Sequence, residues 1–175
     1  MTESGHWRHD RIGAAETGRN PMVLTRLPSG FAVIGDTQFL PGYCLLLAAP
    51  RTGALTDLPR PARQRFLLDM SLIGEAIEQV CWPDGLIRVN YEILGNTDPY
   101  LHAHIFPRYR WEPHDLLPMP VWHYPADRWR DPAHAYSPDR HGDLRDRLTA
   151  ALNNLLATPT EHEGAHAPRS FAGSE

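Results

Sequence analysis

His102 and His104 stand two apart in Tyr100-Leu101-His102-Ala103-His104-Ile105-Phe106-Pro107-Arg108, an alternating run that follows the polar turn Gly95-Asn96-Thr97-Asp98-Pro99. Side chains on a strand alternate faces, so both imidazoles are expected on one side, over that turn, with Leu101, Ala103 and Ile105 directed to the core. Imidazole, with an ordinary pKa of ~6.5, is largely neutral at working pH, as a nitrogen nucleophile must be. Aspartate or serine would need separate activation. Two such rings beside a turn rich in donors suit an anionic phosphorus centre. One ring attacks, while the other, with backbone N–H groups, holds the non-bridging oxygens.

Positioning the pair requires a sheet and a support. Residues 22–27 and 31–35 flank the turn triplet Pro28-Ser29-Gly30 and read as a hairpin. Residues 42–48 are apolar nearly throughout, which predicts a strand covered on both faces. From Pro61 to Cys81 the apolar positions Phe66, Met70, Ile73, Ile77 and Val80 form an amphipathic stripe, with Pro61 in the first turn and Trp82-Pro83-Asp84-Gly85 at the end. Residues 86–94 resume the extended pattern. A short helix is expected over 7–16, ending near Gly18, and Ser137-Pro138 starts another whose stripe is Leu144, Leu148, Ala151, Leu152 and Leu155. Between Trp111 and Tyr136 the chain is rich in Pro, Trp and Tyr; this reads as an irregular wrap whose rings pack or form an interface, and one ring could close over a base.

The fold class expected is α+β, an antiparallel β-sheet with one long helix packed on it, plus flanking N- and C-terminal helices. Residues 1–21 form an N-terminal helical extension and 22–110 the domain that carries the chemistry. Residues 111–157 are the wrap and C-terminal helix packed on that domain, and 158–175 a disordered tail in which His162 and His166 are solvated.

The bulk composition is compatible with one domain: 175 residues, 42% hydrophobic, formal charge −4. All 17 basic side chains are Arg, which coding bias explains without a function. The mildly acidic balance argues against a general nucleic-acid partner, although one Arg could still meet a phosphate. Cys44 and Cys81 have apolar neighbours and no C-x-x-C spacing, and are expected as reduced core thiols. No opening apolar run looks like a signal peptide and no apolar stretch is long enough for a bilayer, so a soluble, cytoplasmic protein without a membrane partner is expected.

The turn and strand, with Pro107-Arg108 at the exit, resemble the signature of the histidine-triad (HIT) superfamily of nucleotide hydrolases and transferases, in which three histidines alternate with apolar residues after a Gly-Gln-Ser/Thr turn. Anchored on Phe106-Pro107-Arg108, His104 falls on the third histidine, His102 on the central one and Tyr100 on the first. Upstream, Phe31 to Asp36 and Pro41-Gly42-Tyr43 are similar to the family's paired strands with a Pro-Gly-His between them, so the likeness covers residues 22–110. It implies a nucleotidyl-His102 intermediate formed by attack on the α-phosphorus of a nucleotide or dinucleotide substrate, resolved by water or another acceptor. It implies further that His104 contacts the same phosphate, that Asn96 and Thr97 donate to phosphate oxygens, and that Asp36 bonds the ribose hydroxyls. Phe31 and Val33 would wall the base, and Asn90 takes a polar position of the preceding strand once one residue is dropped from the loop between. The implied chemistry uses no metal and no cofactor, and many relatives are homodimers; a dimer would also bury an exposed sheet edge.

Tyr100 and Tyr43 stand where the family has histidines, which puts the proton network behind the site in question. The nucleophile is expected to stay oriented, because its second ring nitrogen is held in the family by a main-chain carbonyl. The galactose-1-phosphate uridylyltransferase branch also lacks a complete triad. Plainer readings stand beside these. Asn96, Thr97 and Asp36 are ordinary turn residues, and Arg108 reads first as a structural ion-pair partner. Two further functions remain open: a nucleotide-binding sensor without turnover, and a metal site made by His102 and His104 with Asp98 or Glu92, for which ligand spacing gives little support.

Overall fold

A computed structural model describes residues 7–158. The expected tail over 159–175, with His162 and His166, lies outside the described residues. Pro28-Ser29 turns β1 (Val23–Leu27) back onto β2 (Gly30–Ile34), as the turn chemistry predicts. β3 (Cys44–Ala48) pairs antiparallel with β2 and with β5 (His102–Tyr109), and β5 pairs on its other side with β4 (Leu86–Glu92). The sheet order is therefore β1-β2-β3-β5-β4. The histidine strand lies inside the sheet, hydrogen-bonded on both flanks, so its backbone is a rigid platform.

α1 (Arg11–Glu16) is capped by Asp10, which accepts from the Gly13 N–H, and is followed by Gly18 at φ 70°. Trp7, Ile12, Ala14 and Ala15 join the common core. α2 (Arg60–Cys81) covers β3, β5 and β4 with its predicted stripe, in which Phe66, Ile73, Ile77 and Val80 are buried and Met70 is half-buried. Fully burying each large apolar side chain contributes about 1.5–3 kcal/mol. The same face holds a charge that periodicity does not reveal. Asp69 is fully buried, accepts from Ser29 N (2.8 Å) and Oγ (2.6 Å) and pairs with Arg65, so it ties the β1–β2 turn to the helix. At the Pro41-Gly42 turn the chain needs glycine twice over: φ is 95°, and a Cβ would fall 2.8 Å from Cys81 Sγ. Cys44 and Cys81 are free and buried. Among the described residues no helix is long and apolar enough to cross a membrane.

The wrap is more ordered than its composition predicts. It contains α3 (Ala126–Arg130), and it is stitched to the segment after β2 by Gln38 N–H to His134 O (2.7 Å) and Tyr136 N–H to Asp36 O (2.8 Å). Ser137 then caps α4 (Pro138–Ala157), which packs on α2 and β1. Arg108 is the anchor of the wrap. Its side chain is 2% exposed, pairs with buried Glu112 and donates to the carbonyls of Leu116, Leu117 and Met119; Glu112 in turn accepts from Tyr109 N–H and Tyr124 Oη. The structural reading of Arg108 is the one its contacts bear out. With α2 packed on β5 and the wrap held by Arg108, β5 is buried along its whole length. Asp98 of the polar turn lies beside the histidines as expected, and the wrap adds Trp122 and Trp129 to the same cleft.

Candidate active site

Strand register assembles the site. His102 lies across from Leu47 and His104 across from Leu45 on β3, and Leu45 lies across from Val33 on β2. Paired residues of an antiparallel sheet project to one face. These side chains form the floor of a cleft of ≈ 350 Å³ that is also lined by Arg11, Asp36, Thr37, Trp122, Trp129 and Arg130. Tyr43, Asp98 and Tyr100 also line it.

The two imidazole rings lie 4.8 Å apart, centroid to centroid, at 72° to one another. His102 Nδ1 is 2.8 Å from the Tyr100 carbonyl oxygen. A carbonyl only accepts, so Nδ1 carries the proton and Nε2 is left with a lone pair. His104 Nδ1 is 2.6 Å from Tyr43 Oη. This is the one hydrogen bond of the Tyr43 hydroxyl among the described residues, so its buried proton is satisfied by donating to Nδ1, and the proton of His104 then sits on Nε2. The rings are thereby set in opposite tautomers: His102 offers a nucleophile, His104 a donor. Tyr43 is held for this by stacking on Phe106 (centroids 4.2 Å apart) and by Gly35, where a Cβ would fall 2.2 Å from Tyr43 Cδ1. Burial pushes the Tyr43 hydroxyl well above its ordinary pKa, so it remains a donor.

Burial, reinforced by the neighbouring His102, lowers the His104 pKa from the usual 6.5 to about 4. His104 is therefore a neutral donor across the working pH range. Because its folded pKa lies below its unfolded one, the unfolded chain binds the extra proton between these values. Stability from this group is complete above about pH 6.5 and falls by about 3 kcal/mol as pH drops to about 4. Denaturant melts of wild type and His104→Phe at successive pH values should show this slope in the first and a shallower one in the second; equal slopes would exclude His104 as its source. Tyr43→Phe removes the proton donor to Nδ1. Nitrogen NMR of labelled imidazoles should then show His104 lose its single Nε2–H tautomer, with kcat lower by about 10-fold, as for one lost neutral hydrogen bond; an unchanged tautomer would refute the clamp.

Of the eight residues to which the resemblance gives a catalytic or binding role, the cleft brings together four: His102, His104, Asp36 and Val33. It does not bring in the other four. Phe31 is on the same face but one position farther along the sheet, across from Leu47, with Arg26 over its ring. Asn90 pairs with Phe106 on β4 and opens onto a separate depression with Arg108 and Met119. Asn96 and Thr97 are exposed in the turn ahead of β5. Conversely, Arg11, Trp122 and Trp129 carry no motif. Trp122 stands perpendicular to His104 at 5.1 Å and stacks on Trp129 at 4.7 Å. Leu45 and Leu47 follow from pairing parity once the register with β5 is known. Among the described residues, no three His, Cys, Asp or Glu side chains gather to hold a metal ion, so Asp98 and Glu92 do not complete a ligand set with the histidine pair.

No protein-family model and no curated protein matches the chain. Solved structures do. A histidine triad protein from Marinobacter aquaeolei VT8 is 23% identical, with 84% of this chain and 96% of that chain covered and a TM-score of 0.64. One from Bradyrhizobium japonicum is 19% identical, with 79% and 95% covered and a TM-score of 0.63. A hypothetical histidine triad nucleotide-binding protein from Sulfolobus tokodaii strain7 is 13% identical, with 88% and 98% covered and a TM-score of 0.61. With its five-stranded antiparallel sheet, its long covering helix and its paired histidines on the inner strand, the chain has the fold of the histidine triad proteins.

Proposed function

We propose that the protein is a nucleotide phosphohydrolase or nucleotidyl transferase that cleaves a phosphoanhydride or phosphoramidate bond, of the dinucleoside polyphosphate or nucleoside phosphoramidate class, through a covalent nucleotidyl-His102 intermediate. The observation that carries this reading is the pair of Nδ1 contacts on adjacent rings, His102 to the Tyr100 carbonyl and His104 to the Tyr43 hydroxyl, which favours opposite tautomers. His102 Nε2 attacks the α-phosphorus; the N–P bond forms as the bond to the leaving group breaks. The ring becomes cationic, and its Nδ1–H bond to the Tyr100 carbonyl strengthens as it does. His104 Nε2–H donates to a non-bridging oxygen, where negative charge accumulates. Water then attacks phosphorus, neutral His102 departs, and nucleoside monophosphate and a proton are released. In this reading Asp36 accepts from the sugar hydroxyls and Val33 walls the base.

A neutral His104 is a poor acid. A phosphoanhydride therefore suits the site better than a phosphoramidate, because a phosphate leaving group departs as a stable anion, whereas an amine must be protonated first. Homodimerisation would cover the outer edge of β4. The test is product release from diadenosine polyphosphates, adenosine phosphoramidate and nucleotide sugars, with chelator present. Nucleoside monophosphate, formed fastest from the polyphosphates, supports the reading. Tight binding without product identifies a nucleotide sensor instead, and loss of activity to chelator identifies a metal enzyme.

A further inference from the structure

Arg11 is the first residue of α1, ahead of the hairpin and of every motif in the sequence. Its guanidinium meets Asp36 at the cleft wall, Nη1 donating to Oδ1 at 3.2 Å and Nη2 to Oδ2. This engages two of the five N–H groups of a guanidinium. The side chains are 27% and 41% exposed, so the pair adds little to folding. Its backbone is nevertheless fixed: Asn20 Nδ2 donates to the Arg11 carbonyl at 3.1 Å, and the Trp7 ring lies under the guanidinium, 5.2 Å from its centroid. Thr37, next in the chain to Asp36, lines the same cleft with Oγ1 lacking a hydrogen-bond partner, so this corner has polar capacity the protein does not use.

A bound phosphate needs positive charge, and the groups expected to handle it do not supply any. His104 is neutral, Asn96 and Thr97 are uncharged and outside the cleft, and Arg108 is spent on Glu112 and three carbonyls. Arg130, the last residue of α3, also lines the cleft, but among the described residues no carboxylate holds its guanidinium there, as Asp36 holds that of Arg11. We propose that Arg11 is the phosphate-recognising cation of this cleft: oriented by Asp36, it binds an oxygen of the nucleotide's phosphates with its remaining N–H groups, so α1 sets the preference for phosphorylated over neutral nucleosides. The proposal rests on the nucleotide reading above and adds to it a residue from outside the strands that carry the histidines.

The test is calorimetric binding of AMP and of adenosine to the full chain, as wild type, Arg11→Gln and Arg11→Lys. Arg11→Gln should weaken AMP by about 10- to 100-fold, the loss of one or two charge-assisted hydrogen bonds, and leave adenosine within about twofold; Arg11→Lys should recover part of the difference. Equal weakening of both ligands would make Arg11 a support for Asp36, and tightening of both would make it a plug on Asp36; either result overturns the proposal. Arg11→Lys binding AMP as poorly as it binds adenosine overturns it as well, even if Arg11→Gln does not fold. Wild type that binds neither ligand fails the nucleotide reading itself, whereas wild type that binds AMP with no effect of Arg11→Gln fails this inference alone.

Discussion

His102→Asn should lower kcat for nucleoside monophosphate release by about 10⁴- to 10⁶-fold, the range seen when a covalent nucleophile is removed. Asparagine is close to histidine in reach and keeps an N–H to offer the Tyr100 carbonyl, so the strand and the cleft should survive. What it lacks is a basic nitrogen, since the amide lone pair is delocalised. His104→Gln keeps an N–H donor but does not hold it where the imidazole Nε2–H sits, and should cost about 10²-fold, in keeping with one misplaced transition-state contact. The ranking carries the argument: if His104→Gln proved as damaging as His102→Asn, the division of labour drawn from the two tautomers would be wrong. Binding of product to His102→Asn at near wild-type affinity would show that the mutation removed chemistry and not the fold.

Arg108→Met should destabilise the protein by about 3–5 kcal/mol, because it leaves Glu112 charged and buried without its partner and three carbonyls without their donor. For a domain of this size that is a fall in Tm of roughly 10 °C. Removing both ends, as Arg108→Met with Glu112→Gln, should be milder than the single change, since no isolated charge remains. Arg108→Lys keeps the charge but cannot reach the ion pair and all three carbonyls with one planar fork, and should fall between. Differential scanning calorimetry of the four proteins decides it; a shift under about 2 °C for Arg108→Met would mean that Arg108 does not anchor the wrap. Because the wrap carries Trp122 and Trp129 into the cleft wall, the same variant should also lose nucleotide affinity.

The elements legible in the sequence are those governed by local chemistry. The Pro28-Ser29-Gly30 turn, the α2 stripe and the Ser137-Pro138 start all follow from patterns a few residues long, and the structure has each of them. The two histidines could be placed on one face from alternation alone. What covers that face could not, because the roof depends on Arg108 gathering carbonyls eight to eleven residues ahead, and composition shows the rings of the wrap but not their partners. Asp69 shows the same limit from the other side: on a helical wheel it interrupts an apolar stripe, and only the turn at Ser29, forty residues away, explains it. Arg11 and Asp36 are twenty-five residues apart, and their meeting depends on where α1 docks. The resemblance sets Tyr43 and Tyr100 against family histidines, yet their contacts are not equivalent. Tyr43 gives His104 its tautomer, whereas Tyr100 serves His102 through a backbone carbonyl that any residue would supply.

A covalent bond between His102 and the nucleotide can be trapped. The protein would be mixed briefly with a diadenosine polyphosphate labelled at the α-phosphorus, quenched in base, digested and mapped. Label should appear on the peptide that contains His102, stable in base and released by acid as a phosphorus–nitrogen bond is, and be absent from His102→Asn. Turnover by wild type with no label on that peptide, or with label retained in His102→Asn, would contradict a covalent bond to His102.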